Sequence, residues 1–115
     1  MAVVNQFKFF GVDNVTSTDA QTMFGTTNGV QNPLVNEVYI IKSLKVTSAG
    51  TPTVTVTNNS ITTIKTAALT ANKTEELLTV PLVVEGGKTL TVASSSADSF
   101  DVAISYLNIK KERID

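Results

Sequence analysis

The stretch Val38-Tyr39-Ile40-Ile41-Lys42-Ser43-Leu44-Lys45-Val46-Thr47 decides the fold class. Val38, Ile40, Leu44 and Val46 fall on one face of an extended chain, and Tyr39, Ser43, Lys45 and Thr47 on the other. Side chains of a strand point alternately to its two faces, so an apolar set opposed by a polar set marks a half-buried β-strand. The reading spans Val38–Ser48 and makes the first face the core face.

Strand signals continue on the C-terminal side. Ala49-Gly50-Thr51-Pro52 reads as a turn, because Gly admits turn conformations closed to other residues and Pro fixes its own φ. Thr53–Thr57 alternates Thr with Val54 and Val56 and reads as a strand. Asn58-Asn59-Ser60 is a tight turn into a weaker strand, Ile61–Thr66. Ala67–Lys73 is irregular. Glu75–Glu85 is apolar and extended, but Pro81 cannot donate to a ladder, so it marks an edge, a bulge or a break into two strands. Gly86-Gly87 is a hairpin signal, since both glycines tolerate positive φ. Lys88–Ala93 follows, then a Ser94-Ser95-Ser96 loop. In the last strand, Ser99–Ile109, Phe100, Val102, Ile104 and Tyr106 share one face. Leu107 and Ile109 fall on the other, which predicts a bulge or a change of partner near Tyr106.

The N-terminal third has a different texture. A short strand near Phe7–Val12 is followed by Asp13–Asn32, rich in Thr, Asn, Gln and Gly, with Met23 and Phe24 as isolated anchors. So long an irregular run inside a compact domain must pack on something. It reads either as an arm docking on a neighbouring subunit or as a surface loop held down by Met23 and Phe24. The expected organisation is one structural domain, with an N-terminal strand and extended arm over 1–36 and a β-sandwich over 37–115. About seven short strands at 8–12-residue spacing indicate an all-β antiparallel sandwich or jelly roll.

Composition narrows the function. The 115 residues suit one domain. Histidine, cysteine and tryptophan are absent. The commonest acid–base residue, the strongest nucleophile and the soft metal ligands are therefore missing. A Ser-His-Asp arrangement is impossible. Glu75 and Glu76, adjacent in a strand, would point to opposite faces and could not share a substrate. Asp98 and Asp101 lie among serines but lack the ligand density of a calcium loop. The reading is a protein without enzymatic activity, cofactor or metal. Charged residues are 17% against 42% hydrophobic, and the net charge is −1. No basic field exists to attract nucleic acid or anionic lipid. No apolar run approaches the roughly 20 residues of a membrane-spanning helix. The start, Met1-Ala2-Val3-Val4-Asn5-Gln6-Phe7-Lys8, lacks the pattern of a secretory signal, so the chain is expected to be soluble and made in the cytosol. Asn14-Val15-Thr16, Asn58-Asn59-Ser60 and Asn72-Lys73-Thr74 fit the glycosylation sequon, which a chain this rich in Asn and Thr produces by chance.

Candidate binding residues are aromatic or large and apolar. Phe7, Phe9 and Phe10 could anchor an arm in a partner's groove, or could belong to a strand buried on both faces. Met23 and Phe24 are the anchors of the irregular segment. Tyr39 lies opposite the expected core set, where its ring could pack on another subunit.

The layout from Glu37 to Glu112 resembles a known family. It runs from Val38–Thr47 through Thr53–Thr57, Glu75-Glu76-Leu77-Leu78-Thr79-Val80-Pro81-Leu82-Val83-Val84-Glu85 and Gly86-Gly87-Lys88-Thr89-Leu90-Thr91-Val92 to Phe100–Ile109. That order is similar to small jelly-roll virion proteins of tailed bacteriophages, the head decoration or cement proteins. The resemblance covers about two-thirds of the chain and rests on strand order rather than an invariant site. It implies a jelly roll on the capsid surface of a virion, synthesised in the host cytoplasm, that binds the major capsid protein and stabilises contacts between its subunits. Self-association as a homotrimer would suit a three-fold site. A neck, tail or fibre-attachment protein is the alternative within that class. A carbohydrate-binding or adhesin module is the alternative outside it, weakened by the lack of tryptophan.

Overall fold

The computed structural model describes residues 3–24 and 37–111. They form nine strands: β1 (Val3–Val15), β2 (Gln21–Phe24), β3 (Glu37–Ser48), β4 (Val54–Asn58), β5 (Ile61–Lys65), β6 (Thr74–Glu76), β7 (Leu82–Val84), β8 (Leu90–Ser94) and β9 (Phe100–Lys111). Two antiparallel sheets make a sandwich. The long sheet runs β1-β9-β3, with β6 and β7 placed one after the other along the far side of β3. The short sheet runs β2-β8-β4-β5. Only the β4–β5 and β6–β7 connections stay within a sheet; every other one crosses to the opposite layer.

The core is the pair of facing inner surfaces. Met23, Phe24, Val54, Val56, Leu90 and Val92 from the short sheet meet Tyr39, Ile41, Leu44, Val46, Phe100, Val102, Ile104 and Tyr106 from the long one, all buried. Each fully buried side chain of this size contributes roughly 1.5–3 kcal/mol relative to exposure. Leu69, in the irregular segment after β5, plugs the core; its amide donates to the Pro52 carbonyl at 2.8 Å.

The deciding strand departs from strict alternation. Ile41 pairs with Tyr106 and Ser43 with Ser105, so Lys42 is an extra residue and the strand changes face there. Glu37, Tyr39 and Ile41 point inward before the bulge; Leu44, Val46 and Ser48 point inward after it. Val38 and Ile40, expected in the core set, are half-buried on the outer face. Tyr39, expected outside, is in the core at 7% exposure. The irregularity expected near Tyr106 therefore exists, but in the partner strand: β9 stays in register with β1 from Leu107 to Val102.

Glu75–Glu85 does break at Pro81. β6 pairs with β3 beyond the bulge and β7 with β3 before it. Gly86-Gly87 makes a turn in which the Lys88 amide donates to the Glu85 carbonyl at 3.1 Å, with Gly87 at φ 78°. It is not a hairpin, since β7 and β8 lie in different sheets. The tight hairpin is β4–β5, where Asn59 and Ser60 both take positive φ, as a type I′ turn requires.

Residues 3–24 are built into the sandwich. β1 is longer than expected and pairs with β9 from Val3 to Val15, and the run read as irregular contains β2. Met23 and Phe24 are wholly buried there. The rest of the expected arm, residues 25–36, lies outside the described residues.

Candidate interaction surface

Among the described residues β1 is an edge strand of the long sheet, and Asn5, Phe7 and Phe9 turn outward, opposite Phe10. Phe7 is 81% exposed and Phe9 69%. Registration across the sheet places Phe7 beside Leu107, Leu107 beside Ile40 and Ile40 beside Val83. These four side chains form one apolar row across β1, β9, β3 and β7. Adjacent strands lie 4.7–4.9 Å apart, so the row spans about 15 Å. A second row, Asn5–Ile109–Val38, adds two half-buried side chains. Phe9 faces Ser105, and its ring lies over Gly11, within 3.1 Å of where a Cβ would stand. A glycine there lets an edge aromatic lie flat against the sheet. A contiguous exposed apolar patch on an otherwise polar skin marks an interaction site.

The bulge creates half of this surface. By turning Val38 and Ile40 outward it places them in line with Leu107 and Ile109. Glu76 holds the bulge open: its carboxylate accepts from the Leu44 amide at 2.7 Å and from the Ser43 hydroxyl. Partial burial pushes the Glu76 carboxyl up, but the Ser43 hydroxyl, the Leu44 and Leu78 amides and the Lys45 ammonium together hold it below its ordinary value. Glu75 instead accepts from the Thr70 amide at 3.3 Å. The only adjacent carboxylates are thus spent on structure.

The rest of the outer face is polar. Beyond the bulge it presents Ser43, Lys45, Thr47 and Asp101, and the Thr47 and Thr74 hydroxyls bond at 2.6 Å. Lys8 and Lys42 flank the Phe7–Phe9 edge in a shallow depression shared with Ser105 and Tyr106. On the opposite side, Asn58, Ile61, Thr63, Val83, Glu85 and Lys88 line a groove between β5 and β7. Ile64, Leu77, Val80 and Pro81 line a neighbouring one. Asn58 ties the two layers there, donating from Nδ2 to the Val83 carbonyl at 2.7 Å.

The core narrows to a polar tip behind the apolar row. Asn108 is buried and donates from Nδ2 to Glu37 Oε2 at 3.1 Å. Burial, the Glu37 carboxylate and Tyr106 push the Tyr39 phenol up to about 12. Among the described residues, no three His, Cys, Asp or Glu side chains gather as a metal site would need. Asp98 accepts from the Ser96 hydroxyl at 3.0 Å and Asp101 from the Asn14 amide at 2.8 Å. The Asp98 bond is local turn chemistry, whereas Asp101 lies in β9 and its bond ties that strand to the end of β1.

Of the residues picked from sequence, Phe7 and Phe9 lie together on the exposed edge. Phe10 points the other way and is half-buried against the core. Met23, Phe24 and Tyr39 are core residues and offer no surface to a partner. Leu107, Ile109 and Val83 complete the patch together with Val38 and Ile40, which the alternation of β3 assigns to the core and the bulge turns outward. The signal was there: Leu107 and Ile109 broke the parity of β9, and Lys42 shared the parity assigned to the core. No model of a known protein family and no curated protein sequence matches the chain.

Proposed function

We propose that this chain is a non-enzymatic virion structural protein of jelly-roll type, a decoration protein that binds the outer surface of a capsid and stabilises contacts between major capsid subunits. One observation carries the reading: an apolar row, Phe7–Leu107–Ile40–Val83, across the outer face of the long sheet, exposed at both ends and half-buried between them. A face of this kind gains free energy by being covered, and a protein that binds only the assembled shell stabilises the shell by mass action. Strand order supports the jelly roll. β1-β9-β3-β6 opposite β2-β8-β4-β5 is the order two interlocked Greek keys generate in an eight-position sandwich, with β6 and β7 sharing one position. Self-association as a homotrimer belongs to the same proposal, as does the resemblance in strand layout to phage cement proteins.

The test is co-sedimentation of the purified chain with shells assembled from candidate major capsid proteins. Saturable binding at many copies per shell, lost in the Phe7→Ser/Phe9→Ser variant, is the expected result. Binding that ignores both substitutions removes the proposed surface, and a few copies per particle would move the protein to a neck or tail.

A further inference from the structure

We propose that the protein surface covering Phe7 and Phe9 bears charges of both signs: a carboxylate seated between the two rings beside Lys8 and Lys42, and a cationic side chain seated beyond Phe9 beside Asp13 and Asp101. The inference rests on the shell-binding face of the proposed function and names the chemistry of the surface that face meets.

Phe9 stands between two shallow depressions of the long sheet and lines both. One, of about 360 Å³, is shared with Phe7, Lys8, Lys42 and Ser105. The other, of about 280 Å³, is shared with Gly11, Val12, Asp13, Asp101 and Val102. Lys8, Lys42, Asp13 and Asp101 are all exposed. Each depression therefore holds charges of one sign, and the two signs are opposite. Irregularities in the ladders supply part of this pattern. Lys42 is the extra residue of the β3 bulge, and Asp13 lies where the β1–β9 register breaks between Val12 and Val15. On β9 the depressions are marked by Ser105 and Asp101, four positions apart. At roughly 3.3 Å per residue, that separation is about 13 Å.

A partner of single charge sign does not fit this face. Nucleic acid or an anionic membrane would be drawn to Lys8 and Lys42 and repelled at Asp13 and Asp101, and a net charge of −1 adds no field to attract either. A protein surface with an acid and a base about 13 Å apart, and an apolar recess between them for the Phe9 ring, meets all three features. The roles divide by physics. Exposed aromatics buried on contact supply affinity, whereas exposed ion pairs are screened by water and contribute little each. Complementary charges instead raise the association rate and fix the register. A partner docked the other way round would set its acid against Asp13 and Asp101 and its base against the lysines, so the charges select one direction of docking.

The test titrates the isotopically labelled full chain with extended peptides and follows its amide NMR signals. The peptides are identical except at two positions four residues apart, which carry Glu and Lys, Glu and Glu, or Lys and Lys. The mixed peptide should shift the amides of Lys8, Lys42 and Ser105 together with those of Asp13 and Asp101. It should bind about threefold tighter than either single-sign peptide, a margin that high salt removes. Lys8→Glu/Lys42→Glu should transfer the preference to the Lys–Lys peptide. Equal binding of the three peptides, no shift with any of them, or tighter binding of the Glu–Glu peptide or of oligothymidylate overturns the proposal. Shell binding is scored separately. Association with shells should slow about tenfold in Lys8→Glu/Lys42→Glu at low salt and recover as salt rises. Shells bound equally fast by parent and variant leave the decoration reading standing and overturn the charge assignment. The mixed-peptide preference without binding to any shell upholds the charge assignment and overturns the decoration reading.

Discussion

Phe24 joins the layers through the edges of its neighbours' rings. It sits at the end of β2 in the short sheet, 5.1 Å from Tyr39 and 4.9 Å from Tyr106, both near edge-on, with Phe10 6.0 Å away. Truncating a buried aromatic removes its transfer free energy and leaves a cavity. Phe24→Ala should therefore cost about 3–5 kcal/mol in urea unfolding, a large part of the total for a domain this size. Tyr39 gives this cluster a pH limit. Its phenol is raised from 10.0 to about 12 in the fold, so the native state keeps a proton that the unfolded chain releases. Stability from this group is complete below about 10 and is lost as pH rises towards about 12. Urea midpoints measured up the alkaline limb should fall in that window, and Tyr39→Phe should flatten the fall. From sequence, Phe24 was legible as an anchor, but its place was not. It lies in a four-residue strand without a periodic neighbour, and nothing local distinguishes a core anchor from one pinning a surface loop.

β3 shows what alternation alone misses. The strand and its length were readable from Val38–Thr47, because β-branched residues and a two-residue period leave little choice. The faces were not readable, because one extra residue exchanges them. The cause lies 34 residues away from Lys42, in a carboxylate no local pattern ties to β3. Glu76 accepts the Leu44 amide and the Ser43 hydroxyl, and the Leu77 amide donates to the Leu44 carbonyl at 2.9 Å. Without those bonds, the backbone groups freed by the bulge would lack partners. Glu76→Gln should cost about 1–2 kcal/mol at neutral pH, the figure for charged hydrogen bonds reduced by solvent screening. The sign follows from the depressed carboxyl. Its contribution is present above the ordinary value of 4.5 and is lost as pH falls through its lower folded value. The acid limb of the stability curve should be shallower in the variant than in the parent. The same substitution should weaken shell binding, since the bulge turns Val38 and Ile40 outward.

At the scale of the whole molecule, β1 is both the interaction edge and the strand that brings the N-terminal end of the described chain against its C-terminal end. It pairs with β9 over residues 3–12 and again at Val15, and Phe10, Val12 and Val15 pack against the core from its inner face. An arm could be removed without harm to a folded body; an edge strand cannot. Deleting residues 2–10 removes most of a ladder, exposes the edge of β9 to other chains and uncovers the aromatic cluster beneath Phe10. The truncated chain should lose cooperative unfolding or aggregate, so its failure to bind shells would say nothing about the surface. Phe7→Ser/Phe9→Ser separates the two roles. Both rings are largely exposed, Phe9 lying over Gly11, so their loss should shift stability by no more than about 1 kcal/mol, in line with other surface substitutions. Binding should nevertheless fall by an order of magnitude or more, because exposed aromatics seated in a partner's pocket supply a disproportionate share of interface energy. Equal urea midpoints with unequal shell binding would assign Phe7 and Phe9 to recognition. Unequal midpoints would return them to the fold and leave the row from Leu107 to Val83 as the part of this apolar face still open to a partner.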